Sequence, residues 1–186
     1  MSKPQSKDTL KVCLGAILSY SYNHWLNNFP SRTIRKAYLK AYLEHLGTKV
    51  GVQMGVKFLN GRKVSIGDNS VVNWGCTFDG RKYPISLGKN VSIGPDATIL
   101  TLGHDPRSQT FEDQGGPVVI EDRCWIAYRS TILPGVTMAE GSVLGAGSVL
   151  TKDTVPFGIY AGVPAVKVGE RPTDLSYSFN FNPWLI

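Results

Sequence analysis

Large aliphatic or aromatic residues recur every six positions through the C-terminal two-thirds of the chain. Three phased runs carry this pattern: Ile66, Val72, Phe78; Leu87, Ile93, Ile99; and Ile120, Ile126, Ile132, Met138, Leu144, Leu150. Four residues after most of them stands a small or β-branched residue: Ser70, Cys76, Val91, Ala97, Cys124, Ser130, Val136, Ser142, Ser148 and Thr154. Neither a helix nor an alternating strand has a period of six. The pattern therefore predicts an internal repeat.

A six-residue unit has room for one short strand and one turn. Three units close a triangular coil, and successive coils stack at the normal strand spacing of about 4.8 Å. The aliphatic side chains then form ladders inside a prism, while glycines such as Gly67 and Gly88 relieve crowding near its corners. We therefore predict a mainly β protein built as a parallel β-helix.

Two interruptions break the period of six. Phe78 and Leu87 are nine residues apart, and Ile99 and Ile120 are twenty-one apart. The longer interruption contains His104. Loops that leave a rigid scaffold often carry function, so both segments are candidates for the site.

The N-terminal part of the chain has helical patterns instead, at about residues 8–28 and 32–46. Ser31 is placed as the N-cap of the second helix and Gly47 as its stop. An apolar stripe is expected from Ile34, Tyr38, Ala41 and Leu46. Lys3, Lys7 and Lys11 precede an apolar run, Val12 to Leu18, which is more typical of a buried amphipathic helix than of a signal peptide. The predicted organisation is a helical cap at residues 1–47, the β-helix at 48–168 and a tail at 169–186.

The charge balance limits the choice of partners. The formal charge of +6 comes from 20 Lys and Arg against 14 Asp and Glu, and it suits an anionic partner. No basic stripe is interleaved with aromatic residues, so nucleic acid is not expected. Attraction of the basic face of the second helix to an anionic membrane surface stays an alternative.

The three cysteines, Cys13, Cys76 and Cys124, are far apart and lack the spacing of a zinc site. Neither a disulfide framework nor a metal is therefore expected. This cysteine usage favours the reducing cytoplasm. No stretch is long and apolar enough to cross a bilayer as a helix.

Several motifs in residues 48–171 resemble the hexapeptide-repeat acyltransferase superfamily. They are Ile66-Gly-Asp-Asn-Ser70, Gly103-His104, Val119-Ile-Glu-Asp122, Cys124-Trp125-Ile126, Ile132-Leu-Pro-Gly-Val136, Gly145-Ala-Gly-Ser148, Thr151-Lys-Asp153 and Ala161-Gly-Val-Pro-Ala165. Within the superfamily, the chain is most similar to bacterial sugar and polysaccharide O-acetyltransferases of the maltose, galactoside and colanic-acid types. The resemblance implies a left-handed coil, against the usual right-handed preference, and a homotrimer.

The resemblance also implies transfer of an acetyl group from acetyl-CoA to a hydroxyl of a sugar or polysaccharide precursor. The catalytic base of the family matches His104, and imidazole is a natural proton acceptor near neutral pH. Asn73 and Asp79 match positions that contact the acceptor, although each residue also suits a turn. Asp105 either orients His104 or starts the turn at Pro106.

Coenzyme A is expected in a groove between adjacent subunits. By position, the groove residues are Trp125, Tyr128, Ala146, Thr151, Lys152 and Lys167. Tyr128 replaces a smaller residue and is expected to reshape the groove mouth. Lys167 comes one position later than the usual cation, so the phosphate contact moves to Lys167 or Arg171. Packing is the alternative role for Trp125.

Two other functions stay open at this point. One is N-acetylation of an amino sugar nucleotide, and the other is a non-catalytic scaffold or binding module. The C-terminal segment from Tyr177 to Trp184 is expected to cover an edge or an interface. The sequence leaves open the acceptor and the length of the acyl chain.

Overall fold

The computed structural model describes residues 6–180, with side chains from residue 11 onward. Lys3, the side chain of Lys7 and residues 181–186 of the tail lie outside the described part. Helix α1 spans Ser6–Ser21 and continues as a π-helical turn at Tyr22–Leu26, and α2 spans Arg32–Tyr42. A 3₁₀ turn spans Gly61–Lys63. The strands are β1 (His45–Leu46), β2 (Gly51–Val52), β3 (Lys57–Phe58), β4 (Val64–Ile66), β5 (Val71–Val72), β6 (Thr77–Asp79), β7 (Ile85–Leu87), β8 (Ser92–Ile93), β9 (Thr98–Leu100), β10 (Leu102–His104), β11 (Asp113–Gly115), β12 (Val118–Ile120), β13 (Trp125–Ile126), β14 (Thr131–Ile132), β15 (Thr137–Met138), β16 (Val143–Leu144), β17 (Val149–Leu150), β18 (Gly158–Gly162) and β19 (Ala165–Glu170).

The strands form the three faces of a prism. The first face has the order β1-β4-β7-β12-β15, the second β2-β5-β8-β13-β16-β18-β19, and the third β3-β6-β9-β14-β17. Neighbours within a face are parallel except β18 and β19, and β10 and β11 form a separate antiparallel hairpin. The coil is left-handed. The predicted left-handed parallel β-helix with an N-terminal helical cap is confirmed.

The predicted aliphatic ladders lie inside the prism. On the first face Ile66 pairs with Leu87, Leu87 with Ile120, and Ile120 with Met138. The other two faces repeat this alignment, and all twelve ladder residues are at most 5% exposed. The small residues four positions later are buried as well. The six-residue period therefore describes the core correctly.

Tight corners join the faces. The residue three positions after a ladder residue commonly has a left-handed backbone, as at Asn69 (φ 58°) and Gly75 (φ 73°). Glycine directly after a ladder residue has another cause. A Cβ on Gly67 would lie 2.5 Å from the carbonyl oxygen of Gly88 in the next coil. Close stacking of coils therefore demands glycine there.

The long corners of the first three coils all lie between the third face and the first. They comprise residues 59–63, 79–84 and 100–117, and we call them together the insertion ledge. Neighbouring corners touch, since Lys63 Nζ donates to the Lys82 carbonyl and Thr101 Oγ1 donates to the Asp79 carbonyl. The first corner is absent from the sequence prediction because no ladder residue is assigned before Ile66.

The helices close the N-terminal end of the coil. The Tyr22 ring packs on the Phe58 ring with their centroids 5.6 Å apart. The Phe58 ring in turn stacks on the Phe78 ring inside the prism, with centroids 5.0 Å apart. The Asn23 amide donates to the Phe58 carbonyl at 2.8 Å and accepts from the Phe58 N–H at 3.0 Å. The Asn23 side chain thus occupies the hydrogen-bonding groups on the free edge of β3, so another strand cannot pair with them.

The second helix differs from its prediction in its C-terminal end. It begins at Arg32 as expected but stops at Tyr42, because the Glu44 N–H bonds to the Val64 carbonyl and the chain enters β1. Leu46 therefore belongs to a strand, and Gly47 packs against the backbone of the next coil instead of ending the helix. Ser31 occupies the N-cap position without a capping side-chain hydrogen bond.

The predicted apolar stripe of this helix is only half correct, since Tyr38 and Leu46 pack against the core but Ile34 and Ala41 do not. Ile34 is 47% exposed, and Ala41 is exposed too, whereas Arg35 is 1% exposed beside Leu39 and Tyr42. Arg35 donates to the carbonyls of Phe29 and Val52. Hydrogen bonds to these carbonyls offset the cost of burying the guanidinium. Helix α2 therefore packs with the side that carries Arg35 toward the coil.

Helix α1 is also less buried than expected. Val12, Leu14 and Ile17 are 56–65% exposed, while Gly15 and Tyr22 face the coil. None of the described helices is both long and apolar enough to cross a membrane.

The described part of the tail lies along the corner between the first and second faces. Arg171 donates to the carbonyls of Arg123 and Gly141, both at 3.1 Å. Tyr177 donates to the Arg123 carbonyl at 3.0 Å, and the Phe179 N–H reaches Asn90 Oδ1 at 3.4 Å. Residues 171–180 thus cover a stack of corners, and the role expected of the tail at an edge or an interface stays a prediction.

Replacing Asn23 with alanine should destabilise the protein by about 1–3 kcal/mol, because the Phe58 N–H loses its partner at the coil end, whereas the Phe58 carbonyl keeps its bond from the Tyr42 hydroxyl. Asn28→Ala, at an exposed asparagine in the same segment, is the matched control. Urea unfolding of the two variants measures the difference. Equal stabilities would show that Asn23 does not secure this edge.

The thiols should differ in reactivity. Cys76 and Cys124 are fully buried, and burial raises the pKa of Cys76 to about 12 and that of Cys124 to about 11, whereas Cys13 is exposed. Since the thiolate is the reactive form, a thiol reagent at neutral pH should label Cys13 alone in the folded protein. Cys13→Ser should abolish this rapid phase, and a second rapid thiol would contradict the packing described.

Candidate active site

His104 is the last residue of β10, in the hairpin that forms the longest corner of the insertion ledge. Strands β10 and β11 pair antiparallel, with His104 opposite Asp113. The base of the hairpin is tied to the coil, since the Gly116 N–H donates to the Thr101 carbonyl at 3.1 Å. The His104 side chain is 39% exposed, so a substrate can approach it from solvent.

Contacts within the hairpin orient the imidazole ring of His104. Its Nδ1 lies 3.3 Å from the Phe111 carbonyl oxygen, and the Phe111 ring stacks on it at 3.8 Å between centroids with planes 19° apart. A carbonyl oxygen can only accept, so this hydrogen bond requires a proton on Nδ1. In the neutral ring the lone pair then resides on Nε2. The arrangement is suited to a base that acts through Nε2.

A carboxylate lies beside the same ring nitrogen. Asp113 Oδ1 is 3.4 Å from His104 Nδ1, and Lys82 Nζ is 2.7 Å from Asp113 Oδ2. The hydrogen bond from Lys82 lowers the pKa of Asp113. An ionised carboxylate therefore lies beside the Nδ1 side of the His104 ring.

Sequence reasoning missed Phe111 and Asp113. Of its two roles for Asp105 the structure favours the turn, since Asp105 Oδ1 accepts from the Arg107 N–H at 2.9 Å. Only the pairing register of the hairpin points to Asp113. Residues 105–112 separate the two strands, and a loop of this length leaves the register undetermined from sequence.

Asp79 lies in the insertion ledge below the hairpin. Its side chain is 2% exposed and accepts two hydrogen bonds from the Arg81 guanidinium, both at 2.8 Å. Burial alone would raise the pKa of Asp79, but the bonds and charge of Arg81 hold it below its usual value. The Asp79 carboxylate is thus occupied within the chain, and the partly exposed guanidinium of Arg81 meets solvent.

Asn73 lies at a different corner, between the second and third faces. Its Oδ1 accepts from Gln53 Nε2 at 2.7 Å, and its Nδ2 donates to the Ile93 carbonyl at 2.7 Å. It therefore lies across the third face from the corner that carries His104 and Asp79. One chain does not bring Asn73 and His104 together.

The predicted coenzyme residues are divided in the same way. Tyr128 and Ala146 share the corner of Asn73, where the Gly147 N–H donates to the Tyr128 carbonyl at 2.8 Å. The space beside Gly147 is open, since a Cβ there would meet nothing within 4 Å. Thr151 and Lys152 are exposed after β17, at the corner that carries His104.

The two remaining groove candidates lie on the second face. Trp125 is 48% exposed and lines, together with Tyr177 and Phe179, a cavity of about 290 Å³ under the tail. Lys167 Nζ on β19 lies 2.6 Å from Glu170 Oε1, and this hydrogen bond raises the pKa of Lys167. Arg171, the alternative phosphate contact, is bound to backbone carbonyls.

The described residues contain no group of three or more His, Cys, Asp or Glu side chains able to hold a metal ion. The side chains that could take part in chemistry on the ledge are the His104 imidazole and the carboxylates of Asp79 and Asp113, which pair with Arg81 and Lys82.

Comparison with known proteins identifies relatives of this chain. A family model described as bacterial transferase hexapeptide (six repeats) matches residues 117–152. Galactoside O-acetyltransferase of Escherichia coli strain K12 is 33% identical over 170 residues, which cover 89% of this chain and 82% of that protein.

Solved structures agree with the sequence match. A hexapeptide-repeat-containing acetyltransferase from Vibrio cholerae, solved in complex with acetyl coenzyme A, superimposes with a TM-score of 0.78 at 29% identity, covering 91% of this chain and 92% of that one. A maltose O-acetyltransferase from Clostridium difficile gives a TM-score of 0.78 at 27% identity, covering 89% of both chains. From its repeat, its coil and these similarities, the chain belongs to the hexapeptide-repeat acetyltransferase family.

Proposed function

We propose that this protein transfers an acetyl group from acetyl-CoA to a hydroxyl of a sugar or polysaccharide precursor, with His104 as the general base. The observation that carries the proposal is the orientation of the His104 ring, whose Nδ1 faces the Phe111 carbonyl and Asp113. The sugar acceptor is inferred from the relatives, which include a galactoside and a maltose O-acetyltransferase.

In this mechanism His104 first accepts a proton from the acceptor hydroxyl and then gives it to the CoA sulfur. Its Nε2 accepts the proton of the acceptor hydroxyl as the hydroxyl oxygen attacks the acetyl carbonyl carbon. Acetyl-CoA supplies the thioester, and its sulfur leaves as the ester forms. The imidazolium then returns the proton to that sulfur, so charge and atoms balance. Asp113 stabilises the imidazolium between these steps.

We further propose that the active unit is a homotrimer with each site between two subunits. Thr151 and Lys152 share a corner with His104, whereas Asn73, Tyr128 and Ala146 lie across the third face. A neighbouring copy that presents the second corner to the first would complete the site. The open space beside Gly147 and the exposed Ala146 fit a thin pantetheine arm, and the Lys152 ammonium suits the phosphates of the coenzyme.

Lys167 and Trp125 have weaker support as coenzyme contacts. Lys167 already has a carboxylate partner in Glu170, and Trp125 faces the tail. We retain Lys167 as a candidate for the phosphate end of the coenzyme, and Trp125 is better explained as packing. The cytoplasm, where the three unpaired cysteines would stay reduced, is the inferred location.

Incubation with labelled acetyl-CoA and a panel of sugars tests the reaction. We expect an acetylated product that loses its acetyl group in mild alkali, because esters hydrolyse readily and amides do not. An alkali-stable product would instead indicate N-acetylation of an amino sugar. Failure both to bind CoA and to transfer acetyl would indicate a non-catalytic scaffold.

Replacing His104 with alanine should lower kcat by about 10²–10⁴-fold, the usual contribution of a positioned general base. CoA affinity should be unchanged, which shows that the variant is folded. The matched control is His45→Ala, at an exposed histidine on the first coil. Steady-state rates with saturating acetyl-CoA give the comparison, and a near-normal rate for His104→Ala would refute the assignment.

A further inference from the structure

A groove opens between α1 and the third face, next to the insertion ledge. Its volume of about 740 Å³ falls within the range of about 300–1,000 Å³ that is usual for ligand sites. Three cationic side chains line it, those of Lys57, Arg62 and Arg81, together with the rings of Tyr20 and His24 and several polar side chains. The regular fold places these three cations, since Lys57 lies on β3 and Arg62 and Arg81 lie on successive corners of the ledge.

The groove has an excess of positive charge. No acidic residue is among the described residues that line it. Arg81 is neutralised by Asp79, but Lys57 and Arg62 form no ion pair with any side chain in residues 11–180. Arg62 donates to the Lys11 carbonyl at 3.0 Å, a contact that leaves its charge uncompensated. A cleft lined by one sign of charge attracts a ligand of the opposite sign.

The same groove presents surfaces that suit a sugar. The rings of Tyr20 and His24 lie 4.3 Å apart between centroids, and Tyr20 is 56% exposed. An aromatic face carries partial negative charge and so suits the C–H face of a pyranose. Asn60 and Ser19 also line the groove and offer hydrogen-bonding groups for hydroxyls.

A chain of short contacts connects the groove with the base. Arg81 lines the groove, and its neighbour Lys82 holds Asp113 at 2.7 Å. Asp113 in turn lies 3.4 Å from His104 Nδ1. The groove and the hairpin therefore flank the same ledge loop, residues 79–84.

We propose that this groove binds an acidic sugar unit of the acceptor, one that bears a carboxylate or a phosphate, next to the unit that is acetylated. The link to acetyl transfer rests on the proposed function, whereas the binding of an acidic sugar does not. Lys57 and Arg62 hold the anionic group, and the Tyr20 face supports the ring.

Lys57→Gln is the most direct test, because the Lys57 side chain is exposed and makes no hydrogen bond or ion pair with the described residues. Lys40→Gln removes the same charge from the exposed face of α2, outside the groove, and is the matched control. Three acceptors are titrated by calorimetry without acetyl-CoA: a neutral oligosaccharide, its uronate counterpart and its phosphorylated counterpart.

We expect one or both acidic oligosaccharides to bind more tightly than the neutral one. Lys57→Gln should weaken their binding by about fivefold, the equivalent of an exposed ion pair, and leave the neutral ligand unaffected. Lys40→Gln should change neither. The tighter of the two acidic ligands identifies the anionic group. Equal binding of neutral and acidic ligands, or equal weakening of both by Lys57→Gln, would overturn the proposal.

Adding acetyl-CoA to the same mixtures separates this proposal from the proposed function. Lys57-dependent binding of an acidic sugar without any acetyl transfer would support the groove and refute the reaction. Acetylation of neutral sugars at least as efficiently as acidic ones, with no effect of Lys57→Gln, would support the reaction and refute the groove.

Discussion

Stacking of the coils through hydrogen bonds on all three faces is the constraint on which the rest of this structure depends. Each ladder residue must lie directly above its counterpart, and a slip of one residue would turn the buried side chain outward. Extra residues can therefore enter only at the corners. In the first three coils of this chain they enter at one corner, between the third face and the first, and there they touch one another as the insertion ledge.

The ledge carries His104 and the ion pairs that lie beside it. The insertions hold one another through hydrogen bonds, such as that from Thr101 Oγ1 to the Asp79 carbonyl, and through ion pairs, such as that of Lys82 with Asp113. A histidine on a free loop would sample many orientations. Here a short hairpin, a stacked phenylalanine and a carbonyl oxygen fix the His104 ring, so one nitrogen is left for chemistry.

The parts of the fold that repeat could be predicted from the sequence, and the parts that occur once could not. A period of six specifies the ladders and the buried small residues because every coil imposes the same packing. The buried face of α2 was mistaken because Arg35 is a cation, and its burial depends on carbonyls of Phe29 and Val52 that no helical pattern reveals. His104 became a candidate through a family resemblance, but Asp113 was missed because its place depends on the pairing register of two short strands joined by a long loop.

The most direct test of the account is a crystal structure of the protein with CoA and an acetylatable sugar. We expect the reactive hydroxyl to lie within hydrogen-bond distance of His104 Nε2, with the sugar along the ledge and the CoA sulfur nearby. An acceptor hydroxyl bound elsewhere, with His104 contacting only Phe111 and Asp113 of its own hairpin, would contradict it.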